Sequence, residues 1–264
     1  MRRLLILFTG LFLTACGGTD PAPSTSSNAS PSTSDRGEQV VAQYLKDSSS
    51  PFRKDSIRIS TRDEKETKIY ELDVWRRQTD GETDTLSIIN KPADDAGSGS
   101  LAIEKAGQAT VNVTYAASRD DYLENDSSKM FFGGLTAQEL LGEWGKYDFK
   151  YVGDRPINGR SGSEVEGKLK KGQSSVIDSM KVVFDAETHL PLEMRLLDNT
   201  GKELRTYTSA DIKEVAGHKY VARTEVDNHV YNSHTTIEVL SREYPASIDN
   251  SFFEREKLKA SVRK

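Results

Sequence analysis

Lys68-Ile-Tyr-Glu-Leu-Asp-Val-Trp-Arg76 decides the fold. Tyr70, Leu72 and Val74 recur at every second position, with Glu71 and Asp73 between them. A helix would scatter the three apolar residues around its surface. A strand sets them on one face and the two acids on the other. Clean alternation of this kind marks an antiparallel sheet with one wet face.

The same period runs outward in both directions. Upstream, Ile57-Arg-Ile59 alternates. Downstream, Asp80-Gly81 marks a turn into Thr83–Asn90, Gly97 to Gly99 punctuate the chain before Ser100–Glu104, and Gln108–Tyr115 sets Val111, Val113 and Tyr115 on one face. The C-terminal half repeats the pattern in Asp148–Val152, Ser163–Leu169, Met180–Asp185, Leu190–Asp198, Glu203–Ile212, Lys219–Asp227 and Thr235–Tyr244, with hairpin turns at Asn199-Thr-Gly201 and Ala216-Gly217. Consecutive strands joined by short turns make a meander. Helices are few. Gly37-Glu-Gln-Val-Val-Ala-Gln-Tyr-Leu-Lys46 places Val40, Val41, Tyr44 and Leu45 on one stripe, and Ser48-Ser-Ser-Pro51 stops it. Arg119 to Phe132 is acidic and irregular. Beyond it, Thr136 and Glu139 form a capping-box pattern that predicts a short helix burying Leu140 and Leu141. The aromatics of Ile248-Asp-Asn-Ser-Phe-Phe253 are expected to dock on the sheet. The fold class is mainly β with minor α.

The chain has 264 residues and a formal net charge of −5. It carries no basic patch with interleaved aromatics, so nucleic acid is not an expected partner. Its single cysteine, Cys16, leaves no intrachain disulfide. Arg2 and Arg3 precede an apolar run from Leu4 to Leu13, about ten residues where a membrane span needs about 20. Leu13-Thr-Ala-Cys16 resembles the lipobox of bacterial lipoprotein signals. The resemblance implies that residues 1–15 are a signal peptide and that Cys16 becomes the lipidated N-terminus, holding the chain to a membrane. Gly17 stands where an Asp would imply retention at the inner membrane, so the expected address is the outer membrane, facing the periplasm. Residues 16–35, rich in Gly, Ser, Thr and Pro, are expected to be a disordered tether, and residues 36–264 one folded domain.

Several segments are similar, in order, to outer membrane lipoprotein-sorting proteins of the LolA/LolB-like superfamily. They are Phe131-Phe-Gly-Gly-Leu-Thr-Ala-Gln-Glu-Leu-Leu141, Tyr151-Val-Gly-Asp-Arg-Pro-Ile-Asn-Gly-Arg160, Val182-Val-Phe-Asp-Ala-Glu-Thr-His-Leu-Pro-Leu192, Asn199-Thr-Gly-Lys-Glu-Leu-Arg-Thr206 and Asp249-Asn-Ser-Phe-Phe253. The resemblance covers about Asp35 to Leu258. It implies a strongly curved antiparallel sheet, an incomplete, half-open β-barrel with helices packed in its mouth. It also implies an apolar cavity for lipid or lipoprotein acyl chains. LolA is a soluble shuttle, whereas this chain is tethered like LolB.

The search for catalytic chemistry finds no nucleophile–base–orienter set, so no enzyme is expected. No cofactor is implied. His229 and His234 flank a hairpin turn without a third ligand for zinc, and His189 reads as a turn residue. Asp120, Asp121, Glu124 and Asp126 lack the ligand spacing of a calcium loop and read as a solvated loop near the cavity mouth. Trp75 and Trp144 read as sheet-packing aromatics. The candidate ligand site is therefore the sheet's apolar face: Tyr70, Leu72, Val74, Leu101, Ile103, Val111, Val113, Val182, Phe184, Leu192, Met194 and Leu196. That face is either a filled core or a cavity for acyl chains. The expected function is acyl-chain binding in lipid or lipoprotein trafficking. The alternative is an envelope sensor or scaffold that binds a transporter or regulator.

Overall fold

A computed structural model of the chain describes residues 32–79, 81–105, 111–124, 135 and 144–260. The expected signal peptide, Cys16, the expected tether as far as Pro31, Asp80, Gln108 and the helix expected over Thr136–Gly142 lie outside them. Among the described residues no helix is long and apolar enough to cross a membrane.

Helix α1 spans Thr33–Asp47 and so takes the last three residues expected in the tether. The reason is local. Ser32 Oγ accepts from the Asp35 amide at 3.1 Å, and an Asp35 carboxylate oxygen accepts from the Ser32 amide at 3.2 Å. This capping box satisfies two amides at the helix start. The buried face is Gly37 and Val41, with Val40 and Tyr44 beside them. Leu45, expected on the stripe, is 43% exposed because it falls one position beyond that face.

The strands are β1 (Phe52–Arg62), β2 (Thr67–Thr79), β3 (Glu82–Lys91), β4 (Gly99–Lys105), β5 (Val111–Ala116), β6 (Asp121–Glu124), β7 (Tyr147–Asp154), β8 (Gly162–Leu169), β9 (Ser179–Asp185), β10 (Pro191–Leu197), β11 (Glu203–Val215), β12 (His218–Asn228) and β13 (Ser233–Glu243), and helix α2 spans Arg255–Ala260. They form one antiparallel sheet of thirteen strands in the order β6-β5-β4-β3-β2-β1-β13-β12-β11-β10-β9-β8-β7. Two meanders thus run outward from a central seam where the first strand pairs with the last, Lys54 opposite Glu243 through Arg62 opposite His234. The end strands β6 and β7 do not pair with each other, so the sheet stays open. Register shifts at Ser56/Ile57, Glu71/Leu72, Pro191/Glu193 and Tyr151/Gly153 mark bulges, which bend strands and increase twist.

Strand β6 runs through the segment expected to be irregular. Asp120 takes a left-handed φ of 51° and turns the chain back. Tyr122 then sits opposite Tyr115 with ring centroids 5.2 Å apart, an aromatic cross-strand pair of the kind that stabilises short pairings. At the other edge, α1 lies against β7. Glu38 accepts the Phe149 amide at 2.7 Å, and a Cβ on Gly37 would stand 2.6 Å from the Tyr151 nitrogen. The helix thereby covers a strand edge that would otherwise be open to pairing.

The apolar side chains form three clusters. The largest joins α1 to β7–β12 through Val41, Phe149, Val165, Val182, Phe184, Leu196 and Val226, with Leu135 fully enclosed among them. A second lies between β3–β5 and the C-terminal segment, where Phe253 and Leu258 cover Leu86, Leu101, Val113 and Tyr115. The expected docking of the closing aromatics is therefore observed, on the face carrying the cross-strand row Trp75, Leu86, Leu101 and Val113. The third is small: Ile59, Leu72 and Val74, with Ile57, Tyr70 and Ile237 against them. Ile237 also touches the largest cluster, so the two share a face.

Candidate functional site

The third cluster lines one side of a cavity of about 270 Å³ over the face of β1–β5 opposite α2. Registry fixes which side chains reach it. Ile57 pairs with Leu72, which pairs with Ile89. One row along, Asp55, Val74, Ser87, Ser100 and Thr114 follow across five strands, and after them Arg53, Arg76, Thr85, Ala102 and Asn112. All of these residues line the cavity, together with Ile59 and Ile237. One end is therefore apolar and the other polar. The cavity lies near the lower end of small-molecule sites, about 300–1,000 Å³.

The polar end is crowded with arginines. Arg53 and Arg76 stand directly opposite on β1 and β2. Asp55, 1% exposed, accepts from Arg242 Nε at 2.6 Å and Nη2 at 3.0 Å. Arg53 Nε lies 2.9 Å from the same carboxylate without hydrogen-bond geometry. Among the described residues Arg76 forms no ion pair, and its Nε is buried without a hydrogen-bond partner. Asn112, 4% exposed, leaves its Oδ1 unsatisfied in the same row. Burial pushes the Arg53 guanidinium below its ordinary pKa; Asp55 opposes this, while Arg242 and Arg76 add to it. Burial raises the Tyr44 hydroxyl, against the lowering field of Arg76, Arg53 and Arg242.

The twelve sequence candidates divide among three places. Leu72 and Val74 line the cavity and Tyr70 packs on their cluster. Leu101, Ile103 and Val113 lie on the opposite face under the C-terminal segment, and Val111 is 55% exposed. Val182, Phe184 and Leu196 are buried in the largest cluster with Met194 against them, and Leu192 is buried at the Pro191/Glu193 bulge. They share no single face: Leu72 and Val74 lie on the face of the largest cluster, whereas Leu101, Ile103 and Val113 lie on the other, beneath the C-terminal segment. Arg53, Asp55, Arg76 and Asn112 were not singled out. The signal was present, since Arg76 continues the period of Tyr70, Leu72 and Val74, whereas Trp75 falls on the face of Glu71 and Asp73.

Trp75 packs on Phe252, 5.7 Å between centroids, and Trp144 on Tyr44 at 5.4 Å. Among the described residues no group of three His, Cys, Asp or Glu side chains stands ready for a metal. His234 bonds Asp227 and Glu225, His229 bonds Thr206, and His189 sits in its turn with φ 56° beside Asp47. Asp120, expected to be loosely solvated, bonds the Tyr115 hydroxyl and Lys259. Asp121 is exposed; the Glu124 side chain and Asp126 lie outside the described residues.

The fold of this chain is shared with solved structures. A DUF1329 family protein from Desulfovibrio piger superposes with a TM-score of 0.82 at 17% identity, covering 86% of this chain and 100% of its own. A putative outer membrane lipoprotein-sorting protein domain from Vibrio parahaemolyticus gives 0.79 at 18%, covering 86% and 99%. A LolA superfamily protein from Nitrosomonas europaea gives 0.68 at 11%, covering 84% and 98%. The chain thus has a LolA/LolB-like fold. No curated protein matches it in sequence. A family model described as "uncharacterized protein" matches residues 81–260, and the chain belongs to that family.

Proposed function

We propose that this protein is a lipid-anchored envelope protein, fixed at the outer membrane through Cys16 and facing the periplasm, that holds an acyl chain in the cavity of β1–β5. The cavity carries the reading: among the described residues its apolar end is lined by Ile57, Ile59, Leu72, Val74, Ile89 and Ile237, all on strands. A sheet too open to be filled by its own side chains has room for something else. Each methylene moved there from water contributes about 0.8 kcal/mol. The volume suits one chain. Support also comes from the lipobox around Cys16 and from the fold shared with lipoprotein-sorting proteins.

The test uses the chain from Gly17 onward, which includes the whole compact unit Pro31–Lys264. Purified without detergent, it is expected to carry lipid in native mass spectrometry or to take up a fatty-acid probe. Ala102, 5% exposed on the cavity wall, offers a block: Ala102→Phe is expected to remain folded by circular dichroism and to lose uptake. A folded protein that takes up no lipid defeats the carrier reading, and a stable protein partner from solubilised membranes would then favour the sensor or scaffold.

A further inference from the structure

Two arginines directly opposite on neighbouring strands destabilise the pairing, and a buried guanidinium nitrogen without an acceptor costs more. Both conditions hold at Arg76, whereas Arg53 opposite it keeps its Nε 2.9 Å from Asp55. Asp55 is the one carboxylate on β1 at this end, and Arg242 already takes both of its oxygens. The other carboxylate lining the cavity, Glu104, sits on β4, separated from Arg76 by β3 and one row farther along. Such local conflicts persist in folded chains mainly where function requires them. The conflict here stands at the end of an apolar cavity.

We infer that Arg53 and Arg76 form the head-group site of this cavity, and that its occupant is a single-chain lipid with an anionic head, a carboxylate or a phosphate. This deepens the acyl-chain reading and rests on it. The head would accept hydrogen bonds from the two guanidinium groups, whose planar forks match a carboxylate or phosphate. The tail would run along Val74, Leu72, Ile57 and Ile59. The volume of about 270 Å³ favours one chain over two. A neutral acyl ester would leave Arg76 unmatched, so the site selects by charge as well as length.

The chain from Gly17 onward is titrated by displacement of the neutral fluorophore N-phenyl-1-naphthylamine with dodecanoate, dodecyl phosphate and dodecanol. At least one of the two anionic lipids is expected to bind about tenfold or more tightly than dodecanol, the gain of a charge-assisted bond, and the one that does names the head group. Arg76→Met is expected to abolish that preference and to raise the urea midpoint of the empty protein. Arg53→Met is the second variant and loses the preference likewise. Equal binding of all three lipids, or a preference that survives both variants, overturns the proposal. If no lipid displaces the fluorophore, the acyl-chain reading itself fails. Inorganic phosphate is expected to leave dodecanoate bound; if it binds while no lipid does, the site serves a free anion and the proposal falls.

Discussion

Asp55 carries the charge balance of the cavity's polar end. It holds Arg242 through two hydrogen bonds and stands 2.9 Å from Arg53. Asp55→Ala would strand buried positive charge, and breaking a buried pair from one side costs about 3–5 kcal/mol. Urea denaturation checks this; a loss below about 1 kcal/mol would mean that the arginines find other partners. Asp185 sets the response to acid. Burial pushes its carboxyl up, but Arg160 and the amides of Thr188 and Glu187 outweigh burial and hold it at about 2, below the ordinary 3.8. A carboxyl depressed in the folded state adds stability that is complete above its unfolded pKa and is lost as pH falls through the folded one. The window is therefore about pH 4 down to about pH 2, and the contribution about 2 kcal/mol. Asp185→Asn is expected to flatten the stability curve in that window; an unchanged curve would assign the acid response to other carboxylates. At this scale the sequence was half legible. Leu72 and Val74 reach the cavity as their period requires, but nothing in the sequence distinguishes Arg76, on the same face by the same period, from a charged residue that meets solvent at a strand end.

Among the elements, α1 depends on close approach. A Cβ on Gly37 would meet the Tyr151 nitrogen at 2.6 Å and the Lys150 backbone at 2.7 Å, where nothing flexible can yield. Gly37→Val is expected to lift α1 from β7 and cost about 1–3 kcal/mol, the range for overpacked sites, with faster amide exchange at Phe149, whose N–H the helix protects through Glu38. Unchanged exchange there would contradict the docking. On the opposite face, Leu258 is fully buried between α2 and β3–β5. Leu258→Ala is expected to cost about 2–5 kcal/mol in thermal or urea unfolding. The strands other than β6 were legible because alternation and turn residues are local signals. β6 was not, because its four residues are held by Tyr122 against Tyr115, a contact across strands that no window of sequence displays. The C-terminal docking was legible as aromatics, whereas α2 was too short to announce itself by period.

At the scale of the molecule, β1 at the central seam pairs with β13 on one side and β2 on the other. The chain therefore closes its hydrogen bonding late, and the β3–β5 strands bury a second face beneath the C-terminal segment. This is why a list of alternating residues predicted the sheet and could not predict which of them share a space. One half fills its inner face with α1 and the Phe184 cluster; the other leaves a cavity with arginines at one end and apolar side chains at the other. In the proposed reading this space holds an acyl chain. Native mass spectrometry of the detergent-free chain from Gly17 onward, before and after addition of dodecanoate, tests it most directly. The predicted result is one bound chain per protein, absent in Ala102→Phe; a folded protein that remains at its bare mass, with excess dodecanoate present, would contradict it.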